Sequence, residues 1–234
     1  MKRKKRVGFI LAAGAALAAG LPALLAGGCG GNQPTINTST GIAAAGYCGE
    51  DIDTTGHQYI TNGTFEAGTT GWQIIDTGQN HTNTLTTVSD TSCGDELVLT
   101  RQDSKNAPAL IGLTQDVRID KDVVGKLKLQ MVLIVDHQDE PSDGNLGGDT
   151  PVFITLDYKD AAGGTKSWSH GFQTASTINY PHRDQKITPN YWYTYNVEDV
   201  FSLIPDAVSI TDVAIGGSGW NFTSRVSHVG LSSK

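Results

Sequence analysis

The stretch KLKLQMVLIV, residues 126–135, sets Leu127, Leu129, Met131, Leu133 and Val135 two positions apart. Apolar side chains at every second residue share one face of an extended chain, whereas a helix would scatter them around its axis. The same spacing recurs on both sides. Val152, Ile154, Leu156 and Tyr158 alternate in PVFITLDY (151–158), and Trp168, His170 and Phe172 in SWSHGFQ (167–173). Tyr191, Tyr193, Tyr195 and Val197 alternate in YWYTYNV (191–197). ELVLTRQ, ALIGLTQDV, SITDVAIGG and SRVSHVGLSS are further candidate strands, and DAAGG, IPDA and GGSGWN supply turn residues between them. VEDVFSL is the one helix-like stretch, about a single turn long. Eight or so short strands punctuated in this way predict an all-β chain, an antiparallel sandwich or barrel.

The first residues follow other rules. Lys2, Arg3, Lys4, Lys5 and Arg6 precede an apolar, Ala/Gly-rich run that reaches Gly28. A basic patch followed by such a run is the layout of a secretory signal peptide. The run is also long enough to be a membrane-spanning anchor, and the position of Cys29 favours the signal peptide. Residues 30–46, rich in Gly, Ala, Ser, Thr and Asn and free of charge, read as a flexible tether. The expected division is a signal peptide over 1–28, a modified Cys29 with its tether over 29–47, and one β domain over 48–234.

Five of the 17 Lys and Arg residues precede Cys29, and none of the 24 Asp and Glu does. The remaining chain is therefore strongly acidic. That argues against a nucleic-acid partner, which requires a basic footprint. The three cysteines are Cys29, Cys48 and Cys93. An odd count in an exported chain asks for one modified thiol. With Cys29 modified, Cys48 and Cys93 remain as an even pair, expected as a disulfide in an oxidising compartment and as two free thiols in a reducing one.

LLAGGC, ending at Cys29, resembles the lipobox of bacterial lipoprotein precursors, with Ala26, Gly27 and Gly28 as the small residues before the lipidated Cys. Ala26 stands where Leu is commonest. The resemblance implies an exported lipoprotein, anchored by lipid to a membrane of the bacterial cell envelope or surface. Farther on, NGTFEAGTTGW (62–72) resembles the opening of carbohydrate-binding modules of the galactose-binding-like superfamily. ITPNYWYTYNVEDVFSL and AIGGSGWNFTSRVSHVGLSS are similar to their late strands, in the same order. This resemblance implies an antiparallel jelly-roll β-sandwich and a glycan partner. It also implies that Phe65 and Trp72 pack, and that Glu66 joins a structural calcium with an acidic residue of the last strand. Here Ser227 and His228 stand at the acidic positions. A structural or protein-interaction sandwich without a sugar site is the alternative, because fold alone does not give function.

The candidate sugar site is Trp168 and His170 on one strand face, with Tyr180, His182, Arg183 and Asp184 on the loop that follows. Sugars lie on aromatic faces with polar side chains at the rim. The competing reading puts Trp168 and Phe172 in the core. Residues 136–151 are acidic and Gly-rich, but Pro141 and Thr150 break the EF-hand pattern. Ser218 between glycines lacks the strand–turn–helix setting of a nucleophile elbow. No H-E-x-x-H or zinc-like Cys/His spacing occurs, so a non-catalytic protein is expected.

Overall fold

The computed structural model describes residues 55–77, 82–90, 93–102, 109–139, 150–174, 185–219 and 221–233. Twelve strands and two single-turn helices form within them. The strands are β1 (His57–Gln58), β2 (Gln73–Asp76), β3 (Thr82–Asp90), β4 (Gly94–Gln102), β5 (Ala109–Asp120) and β6 (Leu127–Gln138), then β7 (Thr150–Asp160), β8 (Thr165–Gln173), β9 (Gln185–Lys186), β10 (Tyr193–Val197), β11 (Ala207–Gly219) and β12 (Phe222–Ser233). The helices are α1 (Lys121–Val124) and α2 (Val200–Leu203), and the second is the one turn expected from VEDVFSL.

Sheet 1 runs β10-β6-β12-β4-β3, with β1 also paired to β12; sheet 2 runs β2-β5-β11-β7-β8-β9. All pairings are antiparallel except the short β8–β9 contact. The chain changes sheet on leaving β4, β5 and β6 and again around β10, β11 and β12. The result is two interleaved rows, β4-β12-β6-β10 and β5-β11-β7-β8, which is the jelly-roll order. The protein is an all-β jelly-roll sandwich.

Alternation builds the core. Leu127, Leu129, Met131, Leu133 and Val135 are fully buried and point inward, against Val152, Ile154, Leu156 and Tyr158 of the other sheet and Val213 and Ile215 of β11. Burying one such side chain contributes about 1.5–3 kcal/mol. Val132 and Ile134, on the opposite face of β6, are also buried, which strict alternation does not predict. The β7–β8 hairpin turns at Asp160, whose Oδ1 accepts the backbone N–H groups of Ala162 (3.0 Å) and Gly164 (2.8 Å).

NGTFEAGTTGW forms consecutive turns that close one end of the sandwich before β2 begins. Asn62 organises them. Its Nδ2 donates to the carbonyls of Gly68 (2.8 Å) and Thr70 (3.1 Å), and its Oδ1 accepts from the Ala67 N–H at 3.1 Å. Gln115 of β5 clamps the base through Thr61 N (2.8 Å), Thr61 O (3.0 Å) and Gly71 O (3.0 Å). Phe65 is 1% exposed and Trp72 8%, so both pack as expected. The positive φ of this turn falls on Asn62 (55°), and Gly63 has a different duty. A Cβ on Gly63 would lie 2.0 Å from Val229 O, and Val229 N donates to Gly63 O at 2.9 Å. The glycine is there so that the turn can press onto β12.

Candidate functional site

The outer face of sheet 2 is a platform built from strand register. Val152, Ile154 and Leu156 point into the core, so Phe153, Thr155 and Asp157 point out. Cross-strand pairing extends each of these into a row. Gly112, Gly216, Phe153 and Gly171 stand side by side across β5, β11, β7 and β8. Thr114, Ala214, Thr155 and Ser169 form the next row, and Asp116, Asp212, Asp157 and Ser167 the third. The rows are about 7 Å apart along the strands.

Glycines shape the first row. A Cβ on Gly216 would lie 2.8 Å from Cζ of Phe153, so the missing side chain leaves room for the ring over β11. Phe153 lines a shallow groove of about 210 Å³ together with Leu110, Thr150, Thr155, Ser169 and Ser218. Four hydroxyl groups thus surround one aromatic ring. Thr155 Oγ1 and Ser169 Oγ lie 2.9 Å apart as a cross-strand hydrogen-bonded pair. In the third row Ser167 donates to Asp157 Oδ1 at 2.5 Å. The Asp116 carboxyl is held above its usual range, first by its hydrogen bond to Asp212 and then by that neighbour's charge. Phe153 itself is 9% exposed, so the face offers the rim of one aromatic ring, hydroxyls that donate or accept, and carboxylates that accept.

Two residues expected to bind sugar sit elsewhere. Trp168 and His170 are together, but β8 pairs with β7 so that Trp168 meets Leu156, His170 meets Ile154 and Phe172 meets Val152. Those partners are core residues, which turns the expected sugar platform inward. Trp168 is 4% exposed. Its ring is parallel to that of His170 at 6.1 Å, and His170 stacks on Tyr195 of β10 at 4.6 Å. Phe172 meets Tyr195 edge-on at 5.2 Å. This aromatic group closes the side of the sandwich between β8 and β10. Tyr180, His182, Arg183 and Asp184 lie outside the described residues, as do Cys29 and Cys48. Cys93, the expected partner of Cys48, is half-buried just ahead of β4.

Glu66 is exposed on its turn. At the expected acidic positions of β12, His228 is 7% exposed and its Nδ1 is buried without a hydrogen-bond partner among the described residues. Burial lowers its pKa to about 4, so the imidazole is neutral near pH 7. Among the described residues no three His, Cys, Asp or Glu side chains come together around a point. Calcium takes six to eight oxygens, several of them from carboxylates. The exposed carboxylate of Glu66 and the buried imidazole of His228 do not supply that donor set.

The outer face of sheet 1 carries a closed charge network instead. Arg225 of β12 donates from Nε and Nη2 to both oxygens of Asp136 (2.8 and 2.9 Å) and from Nη1 to Glu96 Oε2 (2.9 Å). Glu96 is fully buried. The guanidinium lies over the half-buried Trp192 ring, 5.3 Å from its centroid. The two carboxylates push its pKa upward.

Fold and face together define a jelly-roll β-sandwich with a solvent-facing sheet platform. No known family model matches the chain, and no curated protein does. Among solved structures, it is similar to the carbohydrate-binding module TmCBM61 in complex with β-1,4-galactotriose: 13% identity over 76% of this chain and 99% of that one, TM-score 0.42. The family 11 module from Clostridium thermocellum, in complex with a β-1,3-1,4-mixed-linked tetrasaccharide, shares 11% identity over 70% of this chain and 89% of that one, TM-score 0.39. The CBM22-1 xylan-binding domain of Paenibacillus barcinonensis Xyn10C shares 13% over 76% and 95%, TM-score 0.40. These likenesses concern the fold.

Proposed function

We propose that this chain is a non-catalytic glycan-binding lipoprotein that holds sugar on the outer face of sheet 2. The observation that carries the reading is the Phe153 groove. The accessible rim of the Phe153 ring, which is 9% exposed, lies among Thr150, Thr155, Ser169 and Ser218 and offers a small apolar patch for sugar C–H groups beside hydroxyls for sugar O–H groups. Anchoring belongs to the same reading. The signal peptide is removed ahead of a lipidated Cys29, the tether lifts the domain from the membrane, and a Cys48–Cys93 disulfide fastens the start of the domain. A glycan array probed with the full chain and with Phe153→Leu tests the sugar site: binding that is lost in the variant supports it, and no binding by either protein removes it. Metabolic lipid labelling of Cys29→Ser tests the anchor, with labelling equal to wild type as the result that sinks it.

The burial of Trp72 and Trp168 favours a second reading, a structural or protein-interaction sandwich, since both large rings serve packing. The same array separates the two.

A further inference from the structure

We propose that residues 49–54, the GEDIDT segment just ahead of Thr55, lie as a strap across the outer face of sheet 1, with Ile52 seated on Val132 and His228. This goes beyond the glycan-binding reading; only the fastening of the strap rests on the Cys48–Cys93 disulfide put forward there. The face is covered where the sheet alone would leave it open. Leu129, Met131 and Leu133 of β6 and Val229 and Leu231 of β12 point into the core, so Gln130, Val132, His228, Gly230 and Ser232 point outward. Val132 pairs with His228 and Gln130 with Gly230. The outer side of such a sheet ordinarily meets water. Val132 nevertheless has no exposed surface, and Gln130, His228 and Ser232 are buried with it. Among the described residues, the main elements packed on β6 and β12 from outside sheet 1 are sheet 2, on the inner side, and α2, whose Val200 and Phe201 belong to the core. Arg225, with Trp192 against it, covers the next row at Ile134.

Chain length and composition point to the occupant. His57 pairs with Ser233 and Gln58 with Ser232, so the chain enters from beyond the end of β12. Leu97 pairs with Val226, which puts Cys93, four residues earlier, about level with Gly230. The gap from Gly56 to Cys93 along the strands is thus about 14 Å, while the chain from Cys48 to Gly56 reaches up to about 27 Å. A chain joined at Cys93 has length enough to arch over Gly230 and His228. Gly230 shapes the bed: a Cβ there would lie 2.8 Å from Nε2 of His228, so the ring lies low over β12. Ile52 is the one large apolar side chain between Cys48 and His57, and Glu50, Asp51 and Asp53 surround it. The face supplies the complement, with Val132 and the His228 ring for Ile52 and half-buried Lys128, opposite Ser232, for the carboxylates. Burial of Ile52 holds the strap and the ion pairing orients it. The strap takes this part of sheet 1 out of ligand binding.

Two measurements on the full chain test the strap. Diethyl pyrocarbonate at pH 7, read by peptide mass spectrometry, should modify buried His228 at most about a tenth as fast as exposed His57, and Ile52→Asp should raise the His228 rate at least about tenfold while His57 stays unchanged. A His228 that reacts like His57 in the wild type, or one still shielded in a folded Ile52→Asp variant, overturns the proposal. The photo-cross-linker p-benzoylphenylalanine in place of Ile52 keeps an apolar side chain there and answers the question even if Ile52→Asp does not fold. Cross-links within one chain to peptides holding Val132 or His228 are expected; cross-links to sheet 2 alone, or none, overturn the proposal. Cys48→Ser combined with Cys93→Ser separates the strap from its fastening. If the cross-link forms and His228 stays shielded in that double variant, the strap stands and the disulfide is not its clasp. If His228 becomes reactive there and the wild type shields it, the strap stands with the disulfide as its clasp. The glycan array bears on none of these outcomes, so the strap and the sugar site stand or fall separately.

Discussion

Phe153 and Gly216 face one another across the β7–β11 pair, and a Cβ on Gly216 would stand 2.8 Å from Cζ of the Phe153 ring. The position also crowds Ile111 O, at 2.6 Å from the same Cβ. Gly216→Ala must therefore displace backbone as well as the ring, at a cost of about 1–3 kcal/mol from overpacking. Phe153→Leu separates stability from binding. It keeps an apolar plug, so stability should change by less than about 1.5 kcal/mol. It removes the flat ring, so affinity for any glycan found on the array should fall at least about tenfold. Urea melts and calorimetry on both variants check this. Glycan affinity unchanged in Phe153→Leu would move the site away from this groove.

His228 predicts a loss of stability in mild acid. Its pKa falls from the usual 6.5 to about 4 in the folded chain because burial disfavours the charged ring. The unfolded chain thus takes up the proton first. Stability is fully present above about pH 6.5 and declines as pH falls toward 4, by up to roughly 3 kcal/mol. His228→Gln should flatten the curve within that window. Asp160 and Asp206, whose pKa values are lowered chiefly by hydrogen bonds from the Gly164 N–H and from Lys166 respectively, add their losses at still lower pH. Urea melts from pH 4 to 8 decide the point, and parallel curves for wild type and variant would count against it.

The opening turns predict a contrast between neighbours. Phe65 is buried, and it holds a left-handed backbone (φ 59°) that a bulky residue adopts only when its surroundings enforce it. Phe65→Ala should cost about 3–5 kcal/mol. Exposed Glu66→Ala should stay within about 0.5 kcal/mol. With no oxygen cage beside Glu66 among the described residues, thermal melts in millimolar calcium and in chelator should coincide. A calcium-dependent rise in Tm that Glu66→Ala abolishes would restore the metal site.

The fold was legible because its signal is local. Leu127 to Val135 and Val152 to Tyr158 set a large apolar side chain at every second position, and the pleat turns that spacing into an inner face. The site was not legible in the same way. SWSHGFQ alternates as cleanly as its neighbours, but which face Trp168 takes depends on its pairing with Leu156 across the hairpin, which is a tertiary fact. One clue was available in PVFITLDY: Phe153 is the aromatic residue out of phase with the inward set. The Asp116–Asp212–Asp157 row had no comparable clue. Its members come from three strands far apart in sequence, and the irregularity between Ile210 and Asp212 in β11 sets their alignment.

Arg225 and Glu96 predict an asymmetric response to mutation. Glu96 has no exposed side-chain surface, while Arg225 and Asp136 keep about a quarter of theirs. Removing the cation takes a hydrogen-bonded counter-charge from a carboxylate held away from water, which costs more than the pair contributes when intact. Arg225→Met should therefore destabilise by about 3–5 kcal/mol, part of it from the lost packing on Trp192. Glu96→Gln should cost less, because the amide is neutral and its oxygen still accepts from Nη1. In the Arg225→Met background Glu96→Gln should recover part of the lost stability, since the buried charge is gone. Denaturant melts of the wild type, both single variants and the double variant give the coupling energy directly. Strictly additive costs in that cycle would show that Arg225 does not hold Glu96 in the interior.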